Sequence, residues 1–380
     1  MNVLTVRDLV TNFHTYEGIV KALDGIGFEL KKGETLGLVG ETGCGKSVTV
    51  LSIMRLIRPP GKIERGEALY QKGKGEGSVD LFLEKEGDMR EIRGNEISMI
   101  FQEPSNTLNP VLNINYQLSE VFLIHRKREL YQSVIDDLSH EISHGKGGLR
   151  KLYLNIYKKM IDKPNSLSIK LLSAVPGIRR YKLRLRDKAR EWSIDMLGKL
   201  GIPGPDEVVD RYPHELSGGM QQRVVIAMAL ACNPSLLIAD EPTSNLDVTI
   251  QAQILDLMRD LKKRFGTSIL FITHDLGVVA EMCDRVAIMY AGNICEMADM
   301  RDIFHNPIHP YTEALLNAVP VIGKEKLESI KGAVPNLVHP PPGCRFHPRC
   351  PMAIDICEKE KPELCEVRKG HFVACHVRGK

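Results

Sequence analysis

The sequence has few aromatic residues and no long hydrophobic run. It contains a single Trp, and only 6% of its residues are aromatic. No uninterrupted apolar stretch approaches the roughly 18–20 residues that a membrane-spanning helix needs. Residues 1–8 lack the basic, apolar and small-residue pattern of a secretory signal. We therefore expect a cytosolic protein without a span of its own.

The overall charge is close to balanced. The formal net charge is +3 over 380 residues, so the bulk composition points to no particular class of partner. Hydrophobic residues make up 43% of the chain, enough for a packed core. The length predicts two or three domains.

The cysteine pattern lacks a C-x-x-C pair, which excludes the common zinc-finger pattern. A cytosolic chain is also not expected to use its nine cysteines as a disulfide framework. Four thiolates could instead hold a [4Fe–4S] cluster or Zn²⁺, and a metal would stabilise a small segment rich in proline. The alternative is that these residues serve as small buried hydrophobes. Five cysteines lie in the last 37 residues: Cys344, Cys350, Cys357, Cys365 and Cys375.

The clearest motif is a glycine-rich loop, G-x-x-x-x-G-K-S, at residues 40–47. An apolar strand precedes it at residues 35–39, and a run of helical length follows. In such a loop the backbone N–H groups face phosphate oxygens at the start of a helix. Lys46 can reach the β- and γ-phosphates, and Ser47 can ligate Mg²⁺. The residues expected to bind the nucleotide are Gly40, Glu41, Thr42, Gly43, Cys44, Gly45, Lys46, Ser47 and Val48.

An aromatic side chain upstream of this loop is a further candidate for the nucleotide site. Tyr16 could stack on an adenine ring, or it could be an ordinary, partly buried tyrosine. The sequence leaves both interpretations open.

Other apolar runs end in polar side chains. Asp240 is expected to hold Mg²⁺ through water, and Glu241 to orient or deprotonate an attacking water. Gln102 could contact Mg²⁺ or that water, and His274 could contact a γ-phosphate. Buried acids without partners are costly, so such strand ends should face a site. The predicted strands are 97–101 before Gln102, 236–239 before Asp240 and Glu241, and 269–273 before His274.

A second glycine turn lies far from the first in sequence. Ser217, Gly218 and Gly219 precede a helical run at residues 221–231. Small residues at a helix start leave N–H groups open to an anion. Because the first loop already binds one nucleotide, this turn is expected to serve a nucleotide held by another subunit.

The composition changes to strongly basic between residues 126 and 190. This stretch holds 17 Lys and Arg against 6 Asp and Glu. A solvated helical insertion, a surface for anionic lipid headgroups and a nucleic-acid surface all remain open. Trp192 and a few tyrosines are the stacking partners nearby, so the nucleic-acid signal is weak.

Taken in order, these motifs resemble those of the ATP-binding subunit of ABC transporters. The likeness covers nearly the whole chain except about 126–186. Its elements are the Walker A loop (40–47), the Q-loop Gln102, the LSGG motif (216–219), the Walker B strand (237–240) with Glu241, the D-loop (244–247) and the switch His274.

The C-terminal segment is similar to that of the dipeptide and oligopeptide importers. The likeness rests on residues 306–312, residues 344–351 and the last cysteine with its flanking histidines. In that family four cysteines can hold a [4Fe–4S] cluster, with zinc as the alternative metal here. The matching positions are Cys344, Cys350, Cys357 and Cys375, which leaves Cys365 as a spare.

The resemblance implies an α/β fold. Its P-loop NTPase core would carry an antiparallel β subdomain and an α-helical subdomain, followed by a small metal-binding C-terminal domain. The expected nucleotide-binding domain is 1–305 and the C-terminal domain 306–380. Within the former, the helical subdomain would be about 103–225 and the basic insertion about 126–186.

The resemblance also implies a head-to-tail pair that encloses two ATP molecules. This chain would supply Lys46, Ser47, Gln102, Asp240, Glu241 and His274 to one ATP and its Mg²⁺, which Ser47, Gln102 and Asp240 would hold. Its Leu216, Ser217, Gly218, Gly219 and Asp247 would face the ATP of the partner subunit. Residues 103–106 would pass the conformational change to membrane subunits.

The implied assembly lies at the cytoplasmic face of the cell membrane. Its other components would be a second, related ATP-binding subunit, two membrane permease subunits and an extracytoplasmic solute-binding protein. The cargo would be peptides, with oligosaccharides as the alternative. A soluble ABC ATPase acting on nucleic acid and a redox protein are the rival classes, and we expect no nucleic acid.

Overall fold

The structure is a computed structural model, and it divides into two compact units. Some predicted features lie outside the described residues: part of the basic insertion (163–180) and Asn245 of the D-loop. The side chains of Pro104 and Ser105 are also not described. The described residues are 1–73, 77–145, 147–162, 181–244, 246–318 and 330–379.

The first unit comprises Met1–Gln102, Ser235–Ser244 and Leu255–Lys380. Its described residues include an antiparallel four-stranded sheet with strand order β2-β1-β4-β5. Two of its strands that are consecutive in the chain, β4 and β5, pair antiparallel. These strands are β1 Asn2–Thr15, β2 Gly18–Lys31, β4 Gly61–Gln71 and β5 Ser78–Asp80.

An eight-stranded sheet, as counted over the described part of the chain, forms the centre of the first unit. Its order is β11-β12-β10-β9-β3-β8-β7-β6, and β3 and β6 to β9 run parallel. The carboxyl ends of β3, β6, β7 and β8 therefore meet at one edge, where α/β sheets bind their ligands. The strands are β3 Thr35–Val39, β6 Ile97–Ile100, β7 Leu236–Asp240, β8 Ser268–Thr273, β9 Arg285–Tyr290, β10 Asn293–Asp299, β11 Cys365–Arg368 and β12 His371–Val373.

Four of the five parallel strands are buried along their whole length. Every residue of β3, β7, β8 and β9 is buried, which explains why these segments read as continuous apolar runs rather than alternating ones. The helices of this unit are α1 Lys46–Ile53, α2 Glu86–Ile92, α11 Leu276–Met282, α12 Met300–His305, α13 Pro310–Asn317 and α14 Asp355–Lys359.

The second unit comprises Glu103–Pro234 and Asn245–Ile254 and is helical in its described residues. A further helix, α10 Val248–Phe265, begins in the second unit and ends in the first. The helices wholly within the second unit are α3 Pro104–Thr107, α4 Ile114–His125, α5 Lys127–Ser143, α6 Leu149–Asp162, α7 Tyr181–Lys199, α8 Pro205–Val208 and α9 Gly218–Leu230.

The described helices of the basic insertion share a small core of their own. Tyr157 is fully buried between α5, α6 and α7, and its ring contacts those of Tyr131 and Tyr181. Glu141 on α5 forms ion pairs with Arg150 and Arg184. Part of the positive charge is thus neutralised within the insertion, which supports the reading as a helical insertion.

The C-terminal segment extends the central sheet. Strand β12 pairs antiparallel with β10, and β11 pairs with β12 at the sheet edge. None of the helices in the described ranges is both long enough and apolar enough to cross a membrane. The domain boundaries expected from the sequence stay predictions.

Candidate active site

The glycine-rich loop connects β3 to α1, and two of its glycines meet demands that no other residue meets easily. A Cβ on Gly40 would lie 2.1 Å from the backbone oxygen of Met289, so a side chain does not fit there. Gly45 has φ +106°, a left-handed conformation, and precedes the first residue of α1. The loop therefore curls tightly, and a loop of this shape can point its backbone N–H groups at a phosphate chain.

Lys46 and Ser47 stand at the start of α1 and reach two different groups. The Lys46 ammonium donates to the carbonyls of Gly40 (2.7 Å) and Glu41 (3.1 Å), inside the loop. The Ser47 hydroxyl donates to Oδ1 of Asp240 at 3.2 Å. These contacts place one cation, Lys46, and one acid, Asp240, next to the loop. Burial raises the pKa of Asp240. Mg²⁺ takes oxygen ligands, and a hydroxyl next to a carboxylate supplies two of them.

The three residues expected to be catalytic lie in direct contact. Oε2 of Glu241 accepts from Nε2 of Gln102 at 3.0 Å, and Oε1 lies 2.9 Å from Nδ1 of His274. Because an ionised carboxylate only accepts, Nδ1 must carry the proton in this pair. Glu241 has φ +46°, in the left-handed region, directly after β7. The sheet edge thus brings together the ends of β6, β7 and β8.

Two side chains outside the predicted set, Tyr311 and Arg349, contact the glycine-rich loop, and a third, Tyr290, contacts Arg349. The Tyr311 hydroxyl accepts from the N–H of Glu41 at 3.1 Å, and Arg349 forms a bidentate ion pair with the Glu41 carboxylate. The Tyr290 ring lies below Arg349, 5.6 Å from its guanidinium. Tyr311 and Arg349 lie in the motifs that carry the importer resemblance, and this was the one sequence signal that pointed to them.

Tyr16 lies at the tip of the β1–β2 hairpin. Its side chain is fully exposed, so the alternative of a partly buried tyrosine is wrong. Its ring is open to a stacking partner, and its contact with an adenine stays a prediction.

The second glycine turn belongs to the second unit. Ser217 caps α9, and its hydroxyl accepts from the N–H of Met220 at 3.4 Å. A Cβ on Gly219 would lie 2.8 Å from the Ile250 side chain. The side chain of Leu216 is buried. Oδ1 of Asp247 accepts from the N–H of Ile250 at 3.0 Å. Ser217 and Gly218 are exposed, so their N–H groups are accessible at the start of a helix.

The predicted metal centre is not supported by the arrangement of its ligands. Across the described ranges, no group of three or more His, Cys, Asp or Glu side chains is placed to hold a metal ion. Burial, with smaller contributions from the nearby thiols of Cys357, Cys350 and Cys375, raises the pKa of Cys344 to about 11. The four thiols therefore share one neighbourhood. Cys365 lies exposed on β11.

Two models of known protein families match this chain. Residues 23–244 match the family model described as ABC transporter, and residues 295–357 match the one described as oligopeptide/dipeptide transporter, C-terminal region. The first match alone covers more than half of the chain and contains the glycine-rich loop, Gln102, the second glycine turn and Glu241.

Curated relatives are similar over nearly their whole length. The oligopeptide transport ATP-binding protein AppD of Bacillus subtilis is 44% identical over 98% of this chain and 96% of its own. The probable peptide ABC transporter ATP-binding protein y4tR of Sinorhizobium fredii is 44% identical over 98% and 94%. The dipeptide transport ATP-binding protein DppD of Bacillus subtilis is 41% identical over 99% and 95%.

A solved structure shares the fold. The dimeric bacterial ABC transporter cassette MJ0796 superposes with a TM-score of 0.53 at 22% identity, covering 78% of this chain and 99% of the cassette. At this identity the likeness shows the fold alone.

Proposed function

The chain belongs to the ABC transporter family, and from this premise we propose that it is the ATP-hydrolysing subunit of an importer for dipeptides or oligopeptides. Relatives that are 41–44% identical over nearly the whole chain are named for peptide transport, and a model of the corresponding C-terminal region matches residues 295–357. The contact of Glu241 with Gln102 and His274 beside the glycine-rich loop is the observation that carries the ATPase activity.

The glycine-rich loop would hold the phosphates of ATP. Its curled backbone presents N–H groups, and the ammonium of Lys46, which now donates to loop carbonyls, would turn to the β- and γ-phosphate oxygens. Tyr16, exposed at its hairpin tip, would stack on the adenine. The remaining loop residues would bind through their backbone, so the side chains of Thr42 and Cys44 would not be required for the contact.

Ser47, Asp240 and Gln102 would hold Mg²⁺. The Ser47 hydroxyl and Oδ1 of Asp240 already lie 3.2 Å apart, which fits shared ligation of one small cation. A bound Mg²⁺ neutralises charge on the β- and γ-phosphate oxygens. Ionisation of Asp240 is costly without a cation because burial raises its pKa. The acid is therefore suited to a site that fills with metal and nucleotide together.

Glu241 would orient the attacking water and take its proton. Each of its oxygens accepts one hydrogen bond, from Gln102 or from His274, and keeps a lone pair for a water. Gln102 and His274 hold the carboxylate in place, and His274, whose side chain is 60% exposed, can also turn to the γ-phosphate. The left-handed backbone of Glu241 is the kind of strain that functional sites retain.

The second glycine turn would complete the ATP site of a partner. The exposed Ser217 and Gly218, with Gly219, Leu216 and Asp247, would meet the γ-phosphate held by a second, related ATP-binding subunit. Support comes from the cap geometry of Ser217, which leaves the first N–H groups of α9 accessible. ATP would then favour the closed pair through contacts that exist in that state alone.

The remaining partners follow from the same proposal. Two permease subunits and an extracytoplasmic solute-binding protein would carry the peptide, and this chain would sit at the cytoplasmic face of the membrane. Residues 103–106 would contact the permeases. Purification through this chain from its own membrane, followed by identification of the co-purified proteins and the bound ligand, tests the assembly and separates peptide from oligosaccharide cargo.

Substitution Glu241→Gln tests the catalytic assignment. The amide keeps the size of the side chain but cannot take a proton, so we expect ATP binding close to wild type and turnover lower by about 10²–10⁴-fold. Glu67→Gln, at an exposed ion pair with Arg7, is the matched control and should leave turnover unchanged. Steady-state hydrolysis and ATP affinity are the measurements. Turnover near wild type in Glu241→Gln removes Glu241 as the base.

We further propose that Cys344, Cys350, Cys357 and Cys375 bind a [4Fe–4S] cluster, with zinc as the alternative metal. The closeness of their thiols supports this, although the side chains are not arranged as a finished metal site. Protein purified without oxygen should contain four iron per chain, a number expected for this cluster type. Cys350→Ser should lose the iron and Cys365→Ser should keep it. Stoichiometric zinc, or no metal, contradicts the cluster.

A further inference from the structure

Arg349 occupies a built position between the C-terminal segment and the glycine-rich loop. Its side chain is 5% exposed, and all three of its guanidinium nitrogens donate. Two bonds at 2.8 and 3.2 Å form a fork on the Glu41 carboxylate, and a third reaches the Tyr290 hydroxyl at 3.3 Å. Arg349 donates two further hydrogen bonds, to the carbonyls of Lys331 (3.0 Å) and Ile330 (3.4 Å). A planar fork of this kind is specific to arginine.

Glu41 is the second residue of the loop and carries a negative charge next to the phosphate site. Its backbone is already used for the loop itself: the carbonyl accepts from Lys46, and the N–H donates to Tyr311. Its side chain is 25% exposed, so water screens the charge only in part. An acid so close to a triphosphate would repel it unless a cation compensates.

A buried cluster of aromatic rings supports Arg349. Tyr290 at the end of β9 and Tyr311 on α13 pack with ring centroids 4.6 Å apart, and Phe346 contacts both rings. All three side chains are buried. Burial alone would lower the pKa of the guanidinium, but the bonds to Glu41 and Tyr290 raise it above its usual range. Arg349 is therefore a fixed, permanent charge.

We propose that Arg349 is a positioning residue of the ATP site: it neutralises Glu41 and fixes the glycine-rich loop from the C-terminal segment. The proposal rests on ATP binding by that loop. The residue does not touch the reacting atoms. It makes the C-terminal segment part of the nucleotide site, because removal of one side chain at position 349 leaves a loop acid unpaired beside the phosphates.

The test uses the purified full-length chain and measures the ATP dissociation constant with the KM and kcat of hydrolysis. Arg349→Gln should weaken ATP binding and raise KM by about tenfold, as an uncompensated charge near a polyanion predicts, with kcat much less affected. Arg349→Lys keeps the charge without the fork, so its ATP affinity should lie between those of wild type and Arg349→Gln. The double variant Arg349→Gln/Glu41→Gln removes both charges and should recover most of the lost affinity.

The matched control is Arg65→Gln. Arg65 forms the same kind of bidentate pair with Asp8, at 2.7 and 3.2 Å, but on the exposed surface of the four-stranded sheet. The Arg65→Gln substitution should leave ATP affinity unchanged. If Arg349→Gln does not fold, the double variant and Arg349→Lys carry the same comparison.

Two results overturn the proposal. One is an ATP affinity of Arg349→Gln equal to wild type; the other is a double variant that binds ATP no better than Arg349→Gln, which assigns Arg349 a purely structural role. Neither result affects the proposed ATPase, which fails only if the wild-type chain itself does not bind ATP.

Discussion

Two glycines of the loop are required for different physical reasons, and substitution separates them. A Cβ on Gly40 meets a backbone oxygen at 2.1 Å, whereas Gly43 has φ +81° with nothing within 4 Å of a Cβ. Gly43→Ala should therefore cost only the left-handed strain of about 1–2 kcal/mol. Gly40→Ala should cost more and should abolish ATP binding, because the loop backbone itself must move.

Urea unfolding and ATP affinity of the two variants check this order. Gly87→Ala on α2, where a Cβ also has open space, is the control and should stabilise the protein by up to about 1 kcal/mol. A larger loss of stability in Gly43→Ala than in Gly40→Ala contradicts the steric account.

His309 makes stability depend on acid pH. Burial, followed by the nearby Arg378, lowers its pKa to about 4 from 6.5. Below pH 6.5 the unfolded chain binds a proton that the folded chain resists, so the contribution to stability is complete above that pH and is lost as pH falls toward 4. The neutral ring is needed because Nδ1 accepts from the N–H of Tyr311 at 3.0 Å.

His309→Asn should remove this pH dependence. Asn can accept the same N–H as a helix cap but does not titrate. The unfolding midpoint of the variant should therefore fall less than that of wild type between pH 6.5 and pH 4.5. Parallel declines in the two proteins would assign the acid sensitivity to other groups.

At the scale of elements, the strands that carry the site could be predicted from the sequence, and the reason is physical. Strands β3, β7 and β8 are buried on both faces, so each is an unbroken apolar run, and the polar residue that ends it is easy to locate. Parallel pairing then brings those ends to one edge. The local pattern and the topology agree, and Gln102, Glu241 and His274 meet as a result.

The C-terminal elements could not be predicted in this way. Strands β11 and β12 are four and three residues long, too short for a recognisable period. Strand β12 pairs with β10, which lies far away in sequence, and this pairing depends on contacts that no local pattern shows. The same holds for the pair of Glu41 with Arg349, whose partners are 308 residues apart. Short elements and long-range ion pairs are decided by packing.

Glu296 on β10 anchors this C-terminal region. It is fully buried, and its carboxylate accepts from the N–H groups of Ile308 (2.8 Å) and His309 (2.9 Å) and contacts Nε2 of His371 at 2.7 Å. Glu296→Ala leaves these three polar groups buried without an acceptor, and each such group costs about 1–3 kcal/mol. We expect a loss of at least about 3 kcal/mol.

Denaturant unfolding measures the effect of Glu296→Ala. Glu313→Ala, at an exposed ion pair with Arg378, is the control and should change stability by less than about 1 kcal/mol. Equal unfolding midpoints for the two variants would show that the buried acid does not anchor the segment.

At the scale of the whole molecule, each compact unit carries one glycine turn at the start of a helix. The turn at Gly40–Ser47 precedes α1 in the first unit, and the turn at Ser217–Gly219 starts α9 in the second. Under the proposed function, one chain would offer two anion sites, whereas a monomer with one P-loop would need only one. A pair of subunits that share their ATP molecules would use both.

Counting the ATP bound per complex tests this claim most directly. In the complex purified through this chain, wild type should bind two ATP per pair of ATP-binding subunits. Lys46→Ala and Ser217→Arg should each weaken one of the two sites, and the double variant in this chain should weaken both. If Ser217→Arg leaves both sites at full affinity, the second glycine turn does not hold a partner's ATP, and the account of shared sites is contradicted.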